Sequence, residues 1–181
     1  MSRSGRKPAE WSSAALFRTF GLGFPEYFFY LLLHASRRRD VGLAHEMETL
    51  GLTLPKWRAL AVIRRLGTCT MSELAHLSPV DRTTLTRTVD LLVEDGMVER
   101  STSASDRRRV LLTLHRRGYD VIEKARASNR DFGARALAGI PEDQRETAMA
   151  VIQRVIENLI DDDDIAYAVL TYRSPKADDA S

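Results

Sequence analysis

Two tetrads, Thr70-Met71-Ser72-Glu73 and Ser78-Pro79-Val80-Asp81, constrain this chain more than any other feature. In the first, the threonine hydroxyl and the glutamate carboxylate can satisfy each other's orphaned backbone N–H groups, the capping box that opens a helix. The second breaks the chain and starts another helix. The spacing therefore predicts a short helix over 71–77 and a second from 81 to about 95, stopped by Gly96. Two short helices joined by a tight turn make a helix-turn-helix candidate.

After Gly96 the periodicity changes. Residues 97–101 and 108–114 read as extended, the latter alternating Val110, Leu112 and Leu114 onto one face, and the polar stretch between them reads as a turn. Together they predict a β-hairpin, or wing. Upstream, 26–50 reads as a long helix, with Pro25 suited to its start, Gly51 ending it, and Leu31, His34 or Ala35, Arg38, Val41 and His45 recurring at helical spacing. Residues 54–66 form another helix, entered through Pro55 and closed by Gly67. Downstream, 116–138 and 141–160 are predicted helices joined by Gly139, with Pro141 at the first helical position. In the latter, Met149, Ile152, Ile156 and Leu159 form an apolar stripe that Val151 and Val155 widen, and such a stripe must pack on something. The aspartates 161–164 interrupt, a last apolar stretch covers 165–172, and 173–181 is expected to be disordered.

Composition narrows the setting. A hydrophobic content of 44% over 181 residues is enough for one cored domain. The single cysteine, Cys69, excludes an intrachain disulfide and fits a reducing cytoplasm. No apolar run approaches the roughly 20 residues of a membrane helix, so no membrane partner is expected. Residues 140–181 carry ten acids against four bases, a net −6, which leaves +8 on the remainder of a chain whose formal charge is +2. A basic body with an acidic end can bind a polyanion in one place and repel it in another.

The candidate interface follows from these elements. In the helix from Asp81, Leu85, Val89 and Leu92 form the inward stripe, leaving Arg82, Thr83, Thr86, Arg87 and Asp90 outward. Long donors and short hydroxyls on one face suit the major groove, where arginine bonds guanine in bidentate fashion and threonine meets a thymine methyl or a phosphate. The same face also reads as an ordinary solvated helix side. What favours DNA is the hairpin that follows, because Asp106, Arg107, Arg108 and Arg109 sit at its tip. Guanidinium groups there can reach phosphates or a narrow minor groove, with Asp106 pairing a neighbouring arginine to fix its direction.

Several strings in this order resemble the MarR (multiple antibiotic resistance regulator) family over 26–159. They are Leu52-Thr53-Leu54-Pro55-Lys56-Trp57-Arg58-Ala59-Leu60, Met71-Ser72-Glu73-Leu74-Ala75 and Asp81-Arg82-Thr83-Thr84-Leu85-Thr86-Arg87. Leu91-Leu92-Val93-Glu94-Asp95-Gly96-Met97-Val98-Glu99-Arg100, Ser105-Asp106-Arg107-Arg108 and Leu112-Thr113-Leu114 ahead of Gly118 complete the set. The resemblance implies a mainly α fold with a small β-hairpin wing: a winged helix-turn-helix plus a helical dimerisation region formed by the N- and C-terminal helices. It divides the chain into an N-terminal arm (1–24), a dimerisation helix (25–50), a DNA-binding lobe (51–115), C-terminal dimerisation helices (116–172) and a tail (173–181). It also makes the Asp81 helix the recognition helix, adds Thr84 to its DNA-binding residues and marks Arg108 for the minor groove. A homodimer on a palindromic duplex operator, with the acidic end pointing away from DNA, is the implied assembly.

The resemblance further implies a repressor released by a small molecule, commonly a phenolic or aromatic acid or its thioester. Tyr30, His34 and Arg38 recur at i, i+4 on the first helix and Trp57 opens the next, a set that would suit an aromatic carboxylate. The same residues also read as core aromatics, a satisfied histidine and a surface or dimer arginine. Two alternative functions stand beside this one: a winged-helix module for protein contact without DNA readout, and a regulator that senses oxidants through Cys69. No phosphate-binding glycine loop, Gly-x-Ser-x-Gly elbow or HExxH occurs, so no enzyme and no cofactor is expected. His34, His45, His76 and His115 are scattered, and 161–164 lacks the spacing of a calcium loop, so no metal site is expected either.

Overall fold

The computed structural model describes residues 23–103 and 109–171. Its elements are α1 (Phe24–Glu48), α2 (Leu54–Leu66), β1 (Thr68–Thr70), α3 (Met71–Leu77), α4 (Arg82–Glu94), β2 (Val98–Thr102), β3 (Val110–Leu114), α5 (Arg116–Ala136), α6 (Glu142–Leu159) and α7 (Asp163–Leu170). Met1–Gly42 and Leu43–Ser181 form separate compact units, and the boundary falls inside α1. The mainly helical fold class with a small antiparallel sheet is the one expected.

Within Leu43–Ser181 the core draws on nearly every element up to α5. Leu43 and Met47 at the end of α1, Leu60 and Ile63 of α2, Leu74 of α3, Leu85, Val89 and Leu92 of α4, Leu112 of β3 and Ile122 of α5 are all fully buried. Burying a leucine or isoleucine side chain contributes about 1.5–3 kcal/mol, so this contiguous cluster sets the relative positions of α2, α3 and α4. Polar ties reinforce it. Lys56 Nζ meets Asp95 Oδ2 at 2.6 Å, Arg117 donates to the Asp95 carbonyl at 2.9 Å, and Glu46 accepts from Ser128 at 3.1 Å and Arg135 at 2.5 Å.

Gly96 and Gly118 shape the junction of α4, β2 and α5, the first by its conformation and the second by a close approach. Gly96 has φ of 66°, and around it the Met97 N–H donates to the Leu92 carbonyl and the Gly96 N–H to that of Val93, both at 2.9 Å. This reciprocal cap ends α4 and turns the chain directly into β2. At Gly118 a Cβ would collide with the Met97 carbonyl oxygen, which already accepts the His115 N–H at 3.0 Å. Only glycine lets the start of α5 approach the start of β2 so closely.

The structure differs from expectation at several points, among them the end of α5, which falls at Ala136 rather than 138. Strand β1 was not predicted: Thr68, Cys69 and Thr70 pair with Thr113, Leu112 and Leu111, so the sheet has three strands in the order β1-β3-β2. Three residues are too few for alternation to be visible in a sequence. α1 covers 24–48 rather than 26–50. Pro141 is the N-cap of α6, not its first residue, because its ψ of 152° is extended. Asp163 and Asp164 belong to α7, which packs against α3 as well as α6. Residues 173–181, expected to be disordered, lie outside the described residues.

Candidate nucleic-acid interface

Helix α4 begins where Asp81 Oδ1 accepts the Thr84 N–H at 2.9 Å. Hydrogen bonds from Thr84 hold the Asp81 carboxyl below its ordinary 3.8, so the cap is ionised at neutral pH. The helix then sorts its side chains as its periodicity predicts. Leu85, Val89 and Leu92 are fully buried and Thr88 nearly so, while Arg82, Thr83, Thr84, Thr86 and Arg87 are exposed. The hydroxyls of Thr86 and Thr88 donate back to the Arg82 and Thr84 carbonyls at 3.0 and 2.7 Å, which fixes both rotamers.

Asp90 does not stand free among these residues. Its Oδ1 meets Arg100 of β2 at 2.5 Å, tying the C-terminal half of α4 to the wing. Arg100 shares a sheet face with Val98, since the two pair with Leu112 and Leu114 on β3. The period of two along 98–102 was the available signal for this partnership.

At the wing the Ser103 N–H donates to the Arg109 carbonyl at 3.0 Å, closing the hairpin arms. Asp106, Arg107 and Arg108 lie outside the described residues. Arg109 is half exposed and pairs at 3.6 Å with Glu73 of α3. Glu73 is also the capping-box carboxylate. Its Oε2 accepts the Thr70 N–H at 2.7 Å and the Thr70 hydroxyl at 2.8 Å, while its own N–H donates to Thr70 Oγ1 at 3.3 Å. These bonds, with a smaller contribution from Arg109, hold the Glu73 carboxyl below its ordinary 4.5.

Beside this box, Cys69 is 1% exposed. Burial, with the Glu73 carboxylate adding to it, pushes the thiol from its ordinary 9.0 up to about 11. A buried thiol that stays protonated at neutral pH is a poor nucleophile, which weighs against oxidant sensing through Cys69. Among the described residues no group of three or more potential ligands could hold a metal ion, and no helix is long and apolar enough to cross a membrane.

The residues assigned to an effector fall in both units. Tyr30 and His34 are in ring contact on α1, with centroids 4.3 Å apart, and His34 and Arg38 are exposed. Trp57 is 8% exposed and packs in the core of the other unit.

Comparison with known proteins places this architecture. The family model described as MarR family matches residues 52–110, from just before α2 to the first residue of β3. HTH-type transcriptional repressor IacR of Pseudomonas putida is 25% identical over 131 residues, covering 72% of this chain and 78% of that protein. A MarR-family transcriptional regulator from Silicibacter pomeroyi has a TM-score of 0.67 and 27% identity, covering 78% of this chain and 95% of that one. Residues 52–110 thus carry the MarR-family match, and the fold is that of MarR-family regulators. A mutant MarR from E. coli complexed with operator DNA is a further relative, 26% identical with a TM-score of 0.66 over 77% of this chain and 97% of that one. IacR is a transcriptional repressor, and the Silicibacter pomeroyi protein is a transcriptional regulator.

Proposed function

We propose that this chain is a homodimeric repressor that reads a palindromic duplex operator with the outer face of α4 and is released by a small ligand. The observation that carries the reading is the division of α4 into a fully buried apolar face and an exposed face of Arg82, Thr83, Thr84, Thr86 and Arg87. A helix held by its buried face on a rigid core can offer the other to the major groove without an ordering cost. The wing arginines, Arg107 to Arg109, would add phosphate or minor-groove contacts, with Asp106 orienting one of them. The E. coli relative solved with operator DNA and the repressor IacR support DNA as the partner and repression as the outcome.

In this reading 51–115 is the DNA-reading lobe, and 25–50 with 116–172 supply the dimer. The exposed apolar residues of α6, among them Met149, Ile152 and Leu159, support that assignment. Twofold symmetry then sets the half-sites about one helical turn, roughly 34 Å, apart. A cytoplasmic site of action goes with DNA as partner. For the effector we propose an aromatic or phenolic acid, or its thioester, with Tyr30, His34 and Arg38 offering ring and cationic contacts. Such a ligand represses binding only if it prefers a conformer whose recognition helices are misplaced.

Fluorescence anisotropy on the duplex upstream of the gene, against a scrambled duplex at two salt concentrations and with a panel of aromatic acids, tests the proposal. Selective, salt-sensitive binding that one acid reverses is the expected result. Absence of selective binding on every candidate duplex would refute it in favour of a protein-interaction role.

A further inference from the structure

We propose that Glu73 is a positioning and charge-tuning residue for DNA binding, which holds Arg109 where β3 leaves the tip of the wing and limits its attraction to phosphate. The inference rests on the DNA-binding reading above and adds to it a residue on α3 that faces the wing.

The geometry makes Glu73 a poor candidate for a passive surface charge. One carboxylate oxygen is committed to the backbone N–H and hydroxyl of Thr70, at 2.7 and 2.8 Å, which holds the group against the start of its helix. The other faces Arg109 at 3.6 Å. Arg109 is itself confined, because its carbonyl closes the hairpin with Ser103 and the next residue, Val110, enters the sheet. The two side chains border an open cavity of about 600 Å³ lined also by Thr70, Met71, Ser72 and Val110, so solvent and a polyanion can reach the pair. When a phosphate approaches Arg109, a fixed negative charge remains beside the guanidinium.

That arrangement lowers the share of binding that comes from counterion release at this arginine. A free arginine taking one phosphate steepens the plot of log affinity against log salt by about 0.9, whereas one already paired with a carboxylate contributes less. The effect is blind to sequence. By damping a phosphate contact, Glu73 lowers affinity for any duplex and leaves discrimination to α4.

Glu73→Gln separates this role from capping, because the amide oxygen can still accept the Thr70 N–H while the charge is gone. In anisotropy titrations from low to moderate salt, E73Q should bind the upstream and scrambled duplexes about two- to fivefold more tightly at low salt. Its salt slope should be steeper by up to about one. In an Arg109→Ala background the same change should do nothing to either quantity. Thr70→Ala serves as the structural control: it damages the box but keeps the charge, so it should lower thermal stability without steepening the slope. An unchanged or shallower slope for a folded E73Q, or equal steepening with and without Arg109, would overturn the inference while leaving DNA binding intact. Failure of the wild-type chain to bind any duplex in a salt-dependent way would remove both readings.

Discussion

Helices α4 and α6 carry similarly regular apolar stripes, yet the chain completes only one of them. In α4, Leu85, Val89 and Leu92 are fully buried against α2, β2 and the rest of the core. In α6 no residue is buried, and Met149, Val151, Ile152 and Leu159 are exposed by 62%, 46%, 38% and 66%. The first half of α1 behaves like α6, with Phe24, Phe29, Leu31 and Leu33 exposed, whereas its end, at Leu43 and Met47, is sealed into the core. Hydrophobic period locates a face without naming its partner, and here α4 finds its partner within the chain. Contiguous exposed apolar surface of the α6 kind marks an interface, and a second copy is the partner the proposal assigns to it.

Substitutions in the two helices should have opposite consequences. The largest effect is expected for Leu85→Ala, which should lower the unfolding free energy by about 2–5 kcal/mol in urea denaturation, whatever the protein concentration. Ile152→Glu should change the intrinsic stability of the winged lobe by no more than about 0.5 kcal/mol. It should nevertheless shift sedimentation toward monomer and make the melting temperature less dependent on concentration. A large loss of stability in Ile152→Glu at concentrations where the protein is already monomeric would mean that α6 is core after all.

What was legible in the sequence follows the same division. The capping box, the short helix it opens and the limits of α2 were visible because caps, proline and glycine act locally, and Leu85, Val89 and Leu92 were visible because α4 has one inward face. Less visible were pairings between distant segments. Asp90 reads only as an outward-facing residue, although Arg100, ten positions on, takes it up, and Glu73 reads only as a cap, although the sheet brings Arg109 beside it. Strand β1 was hidden because it exists only through its pairing with β3. The packing of α7 on α3 had no sequence signal at all, since nothing in an apolar run names the helix it will meet.

Base readout by the exposed face of α4 stands or falls with Arg87→Ala. The measurement is the ratio of affinities for the upstream and scrambled duplexes at one moderate salt concentration. Loss of a bidentate arginine contact should reduce that ratio about tenfold while thermal stability stays unchanged. Equal weakening on both duplexes, or none on either, would contradict base readout by α4.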